Sequence, residues 1–190
     1  NKQLPVTNQK ASGRCWGFAG LNLLRLGIVK KYNLSNFEFS QNYFMFWDKL
    51  EKANYFLENI LKTLNDNYDS RIMMHLLQAP VQDGGQWDMF VNLIEKYGVV
   101  PQSVMPETNH SSKSGMMNYF LTHKLREFAF ILRKLNQSKA KKINLRIKKE
   151  EMISEIYSLL CMFLGNPPIN FDWSIKDTNN KFSRFTNIEP

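Results

Sequence analysis

Cysteine and histidine are scarce: the 190 residues hold two cysteines and three histidines. Cys15 and Cys161 lie far apart in the chain. So sparse a usage excludes a disulfide-built scaffold and fits a reducing compartment, so a cytoplasmic location is expected. His75, His110 and His123 form no H-x-x-x-H pair and no Cys/His spacing suited to zinc, so no metal site is expected. The chain has no Walker loop and no G-x-G-x-x-G, so no nucleotide cofactor is expected. No apolar run approaches the roughly 18 residues that suggest a membrane span. The sequence begins at Asn1 and shows no charged-then-apolar leader, no internal repeat and no low-complexity linker.

Enough apolar residues are present, 43%, for a globular core. Basic residues outnumber acidic ones, 25 to 17, for a formal net charge of +8. Lys139, Lys141, Lys142, Arg146, Lys148 and Lys149 concentrate much of that excess. Such a stretch can neutralise phosphates, giving weak nucleic-acid binding, or it can be an ordinary solvated helix end or loop. No helix-turn-helix, zinc-finger or RNP pattern supports base reading.

Periodicity predicts a mostly helical chain. A first helix, Cys15 to about Lys31, reads as apolar nearly all round and therefore central and buried. Ser40 reads as the cap of a second helix through Phe44, Trp47, Leu50, Tyr55 and Leu61. A polar turn at 65–70 precedes a short helix from Arg71 to Leu77. Asp83 reads as the cap of a helix from Gln86 to Tyr97, with Gln86 completing a capping box and Gly98 ending it. Pro101 and Pro106 bound a loop, and His110 is expected in a polar loop. A long helix is expected from about Gly115 to Lys142, with Met117, Phe120, Leu121, Leu125, Phe128, Leu132 and Leu135 on one stripe. Another is expected from about Glu150 to Leu164, stopped by Gly165. Phe171, Trp173 and Ile175 alternate with polar residues before a turn at 177–180, which predicts a β hairpin.

The stretch with most chemistry is Gln9-Lys10-Ala11-Ser12-Gly13-Arg14-Cys15-Trp16, followed by the apolar run from Gly17 to Leu26. It sets a thiol at a helix start, where unpaired N–H groups and the helix dipole favour the nucleophilic thiolate. Gln9, six residues earlier, offers a side-chain amide for a developing oxyanion, alongside the Cys15 backbone N–H. The plainer alternative is a small core cysteine with a loop glutamine nearby.

These residues resemble the papain-like cysteine peptidases, whose local signature is C-G-[SA]-C-[WY]. Arg14 before the Cys, and no Cys on the loop ahead of it, resemble the bleomycin hydrolase branch. Further collinear stretches carry the same resemblance: Pro5 to Lys10, Phe37-Glu38-Phe39-Ser40-Gln41, Phe46-Trp47-Asp48-Lys49, Asp83 to Met89, Glu95 to Pro101, and Cys161 through Leu164-Gly165-Asn166-Pro167-Pro168.

The resemblance implies an α+β, papain-like fold, here mostly the helical Cys-bearing subdomain, a helical insertion and the start of a β hairpin. The expected division is a Cys-bearing subdomain over 1–110 with a helical insertion at about 40–78, a helical insertion over 111–168, and a truncated β segment over 169–190. Cys15 is the implied nucleophile and Gln9 the oxyanion-hole donor. Gly84, Gly85 and Trp16 are the implied substrate contacts, because a substrate backbone can approach a glycine closely. The implied activity is that of a thiol aminopeptidase acting on peptides and aminoacyl amides, in a hexameric ring. The catalytic His and Asn of such enzymes follow the Cys by about 130–150 residues, and no histidine follows His123 here. The expectation is therefore a segment of a longer enzyme, inactive alone. The rival reading is a non-catalytic basic helical binding module.

Overall fold

The structure, a computed structural model, describes residues 4–139 and 141–190. Among the described residues seven helices and a hairpin follow in order: α1 Cys15–Lys31, α2 Gln41–Lys62, α3 Arg71–Gln78, α4 Trp87–Tyr97, α5 Asn109–Ser112, α6 Gly115–Gln137, α7 Lys142–Leu164, β1 Phe171–Lys176 and β2 Phe182–Ile188. The Asn1 start of the first expected segment and position 140 of the expected long helix lie outside the described residues.

Two apolar cores hold these elements. The larger packs Phe46, Ala53, Phe56, Leu57 and Ile60 of α2 against Met117, Leu121, Leu125 and Leu132 of α6 and Met152, Ile156 and Leu160 of α7. Burying each of the larger of these side chains contributes about 1.5–3 kcal/mol. The smaller joins Leu21 of α1, Phe44 of α2, and Phe90 and Leu93 of α4 to Phe37 and Phe39, with Trp173 and Ile175 of β1 packed on it. Trp47 and Tyr97 touch both cores and stack at 4.0 Å.

Local signals explain the helix ends. The Ser40 hydroxyl accepts the Tyr43 N–H at 2.9 Å, and the Ser70 hydroxyl accepts the Met73 N–H. Gly98 and Gly165 take positive φ of 69° and 89° and stop α4 and α7. In the hairpin, β1 pairs antiparallel with β2, Ser174 opposite Arg184. The Asp177 carboxylate accepts the Asn179 and Lys181 N–H groups and closes the turn.

Five expectations change. First, α1 buries only one face: Gly17, Phe18, Gly20, Leu21 and Arg25 are covered, while Leu23 and Leu26 remain 60% and 56% exposed. Gly17 and Gly20 bring the Phe44 and Phe90 rings onto the α1 backbone, so the buried face is the one turned to α2 and α4. Second, Gln86 caps α4 without a side-chain bond, because Asp83 is engaged elsewhere. Third, His110 lies not in a loop but in α5, a single turn closed by a Thr108–Ser111 capping box. Fourth, α6 ends at Gln137 and α7 begins at Lys142, eight residues early. Lys139 adopts a left-handed φ of 58° that breaks the helix, and Leu145, Lys149 and Met152 extend the buried stripe of α7 through residues that read as solvated charge. Fifth, Phe120 is half exposed rather than part of the α6 stripe.

Candidate active site

Cys15 is the first residue of α1, and its thiol is free and exposed. Arg14, the N-cap, makes no side-chain cap bond, and the first turn holds no acidic residue. The N–H groups of that turn therefore remain available, with the positive end of the helix dipole behind them.

The loop ahead of the thiol is tightly held. Asn8 Oδ1 accepts the Lys10 N–H, and Lys10 takes a left-handed φ of 55°. The Ser12 hydroxyl donates to the Gln9 carbonyl at 2.7 Å and accepts from Arg14 Nε at 2.8 Å. Arg14, 2% exposed, forks onto Glu107 at 2.9 and 2.8 Å and lies over the Phe18 ring. The Ala11 N–H donates to the Ser112 carbonyl, and the Ser114 N–H to that of Ala11. Arg14 is thus the guanidinium that anchors the Cys15 loop onto residues 107–114.

Gln9 is half-buried on this loop, its side-chain Oε1 enclosed without a hydrogen-bond partner. Trp16 is also half-buried, its Nε1 donating to the Asp83 carbonyl at 2.7 Å and its ring edge-on to Phe44. The two glycines differ. A Cβ on Gly85 would stand 2.5 Å from the Trp16 ring, so Gly85 is fixed by packing. A Cβ on Gly84 would meet nothing within 4 Å, so its open backbone reflects no demand from its own surroundings. Both line a groove of about 380 Å³ with Lys52, Tyr55, His75 and Met89. Lys52 Nζ closes one wall, donating to the Gly84 and Gln82 carbonyls and to Asp48.

Asp83, expected from the sequence as a helix cap, instead joins distant segments. Its Oδ2 accepts the Gly13 N–H at 2.9 Å and the Ser114 hydroxyl, and its Oδ1 accepts Lys49 Nζ at 2.6 Å and Asn118 Nδ2 at 2.8 Å. The Lys49 side chain is fully buried. Burial alone would push the Asp83 carboxyl up, but the Lys49 ammonium and the Gly13 and Ser114 donors overcome it and hold the group well below the usual carboxylate range. The available signals were an aspartate directly ahead of Gly-Gly and a lone lysine inside an aromatic helix run.

Two of the three histidines are engaged elsewhere, and the third borders the Gly84–Gly85 groove. His75 sits exposed on α3 and lines the groove, His110 packs on Phe163, and His123 Nδ1 bonds the Tyr119 carbonyl. Among the described residues no three His, Cys, Asp or Glu side chains group as metal ligands, and no helix is long and apolar enough to cross a membrane.

The model of the Peptidase C1-like family matches residues 1–190. Aminopeptidase C of Listeria monocytogenes is 53% identical over 185 residues, covering 97% of this chain and 41% of that protein. Bleomycin hydrolase of Oryctolagus cuniculus is 45% identical over 188 residues, covering 98% of this chain and 68% of that protein, and the Homo sapiens bleomycin hydrolase is 44% identical with 41% of its length covered. The crystal structure of PepW from Lactobacillus rhamnosis HN001 superposes with a TM-score of 0.94 at 50% identity, over 97% of this chain and 41% of that one. The chain thus spans well under half the length of most of these relatives.

Proposed function

The chain belongs to the Peptidase C1-like family, in its bleomycin hydrolase-like, papain-fold branch, and on that membership we propose that it carries the nucleophile of a thiol aminopeptidase. The observation that carries this reading is an exposed, unpaired Cys15 at the first residue of α1, on a loop bonded directly to the segment that bears Gly84 and Gly85.

In this reading the Cys15 thiolate attacks the carbonyl of an amino-terminal peptide bond or aminoacyl amide. The Gln9 side-chain amide and the Cys15 N–H hold the oxyanion, while the thioester forms and the amine leaves with a proton. Gly84 offers open backbone to the substrate, and Gly85 sets the Trp16 ring that walls the site. The imidazole that protonates the amine, and the Asn that orients it, come from polypeptide outside these 190 residues. Ring assembly and a basic polyanion-binding surface belong to the same proposal. Part of that basic charge is internally matched, since Arg146 and Lys149 pair with Glu58 and Lys148 with Glu151.

A non-catalytic basic module is the second reading, favoured by the engagement of His110 with the Phe163 ring and of His123 with the Tyr119 carbonyl. Aminoacyl-coumarin hydrolysis separates the two. The proposal expects turnover by a protein that includes this chain and the downstream His and Asn, its loss in Cys15→Ala, and little or none from the 190 residues alone. Absence of turnover from the longer protein would favour the binding module.

A further inference from the structure

Asp83 joins more of the site than any other described side chain discussed above. One carboxylate oxygen takes the Gly13 N–H of the nucleophile loop and the Ser114 hydroxyl at the start of α6; the other takes Lys49 of α2 and Asn118 of α6. Four donors fill both oxygens. The backbone carbonyl of the same residue accepts Trp16 Nε1. Gly84 and Gly85 follow directly in the chain, with Gly84 tied back to α2 through Lys52. No disulfide joins these two loops, since both cysteines are free. The Asp83 carboxylate is the polar side-chain tie between the Cys15 loop and the glycine wall, beside the packing of Trp16 on Gly85.

We propose that Asp83 is a positioning residue: its carboxylate locks the Cys15 loop to the Gly84–Gly85 segment, so that nucleophile and substrate backbone meet in register. This rests on the aminopeptidase reading above. The consequence is kinetic as well as structural. Reacting groups held in a near-attack arrangement lose rate steeply when displaced, about 10²-fold for 1 Å. A carboxamide cannot replace the carboxylate, because its NH₂ would face a donor whichever oxygen it replaced.

Two variants of the full protein test this. Asp83→Asn replaces one acceptor oxygen by a donor. Gly13→Ala leaves every charge in place but sets a Cβ 2.9 Å from Asp83 Cβ, forcing the two loops apart. Leu132→Ala, a core truncation in α6 remote from both loops, supplies a comparison of similar or greater loss in melting temperature. The expected result is a kcat lower by roughly 10–100-fold in both loop variants with KM within about twofold, and slower Cys15 alkylation. Leu132→Ala should keep kcat and labelling rate near wild type at a temperature where it remains folded. Normal kcat in folded Asp83→Asn and Gly13→Ala, or an equal loss in Leu132→Ala, would overturn the proposal. An inactive wild type would instead overturn the aminopeptidase reading, and Cys15 labelling would then still report whether Asp83 positions the loop.

Discussion

The guanidinium of Arg14 meets the carboxylate of Glu107 through two parallel hydrogen bonds, 2.9 and 2.8 Å long, immediately before the candidate nucleophile. Arg14 is buried, while Glu107 keeps a quarter of its side-chain exposure. Arg14→Met removes the cation from Glu107, which keeps the Ser111 hydroxyl, and removes the donor to the Ser12 hydroxyl. A loss of about 2 kcal/mol is expected, below the 3–5 kcal/mol of fully buried pairs because Glu107 reaches water. Arg14→Lys should recover only part of it, since an ammonium cannot make the forked contact. Chemical denaturation measures both, and a variant as stable as wild type would contradict the anchoring role.

The two glycines of the groove should respond oppositely to alanine. Gly85→Ala drives a methyl into the Trp16 ring and should destabilise the protein by about 1–3 kcal/mol. Gly84→Ala meets no neighbouring atom and should leave the melting temperature nearly unchanged. If Gly84 faces the substrate backbone, as proposed, Gly84→Ala raises KM for aminoacyl-coumarins. Unchanged KM would remove Gly84 from the site.

Thiol chemistry offers an independent check. Cys161 is half-buried beside Tyr157, and burial pushes its thiol up against the opposing Tyr157 hydrogen bond. Cys15 is exposed at a helix start. Iodoacetamide should label Cys15 on the order of ten times faster than Cys161 in the folded protein, read by peptide mass. Equal rates would argue against an activated thiol.

The sequence made much of this legible, and the failures share a cause. Ser40, Gly98 and Gly165 announced helix ends because their signals act within a few residues. The stripe of α7 was hidden because Lys142, Lys148 and Lys149 look solvated until Glu58, on α2, is seen to pair with Lys149. Asp83 was assigned to the nearest helix start because capping is local, whereas its partners Gly13, Lys49, Ser114 and Asn118 come from distant parts of the chain. Leu23 and Leu26 read as buried because apolar content carries no information about which face finds a partner.

Acid should weaken the protein through Asp83. Its folded-state pKa lies below the ordinary aspartate value near 3.9. Its stabilisation is therefore complete above about pH 5 and is lost as pH falls through about 4 toward the folded value. Lys49, Lys52 and Asp48 border the same cluster: Asp48 is pushed up, mainly by burial, with Lys52 and Lys49 opposing. Melting temperature should fall between pH 5 and 3 in wild type and fall less in Asp83→Asn. Parallel profiles would show that Asp83 does not carry this acid sensitivity.

The central claim, that Cys15 forms the acyl-enzyme, is tested most directly by trapping it. The full protein is mixed briefly with an activated aminoacyl ester, quenched in acid and digested, and the peptide bearing Cys15 is weighed. The account predicts the mass of one aminoacyl group on Cys15, present in wild type and absent in Cys15→Ala, which also loses turnover. An acyl group on another residue, or turnover that survives Cys15→Ala, would contradict it.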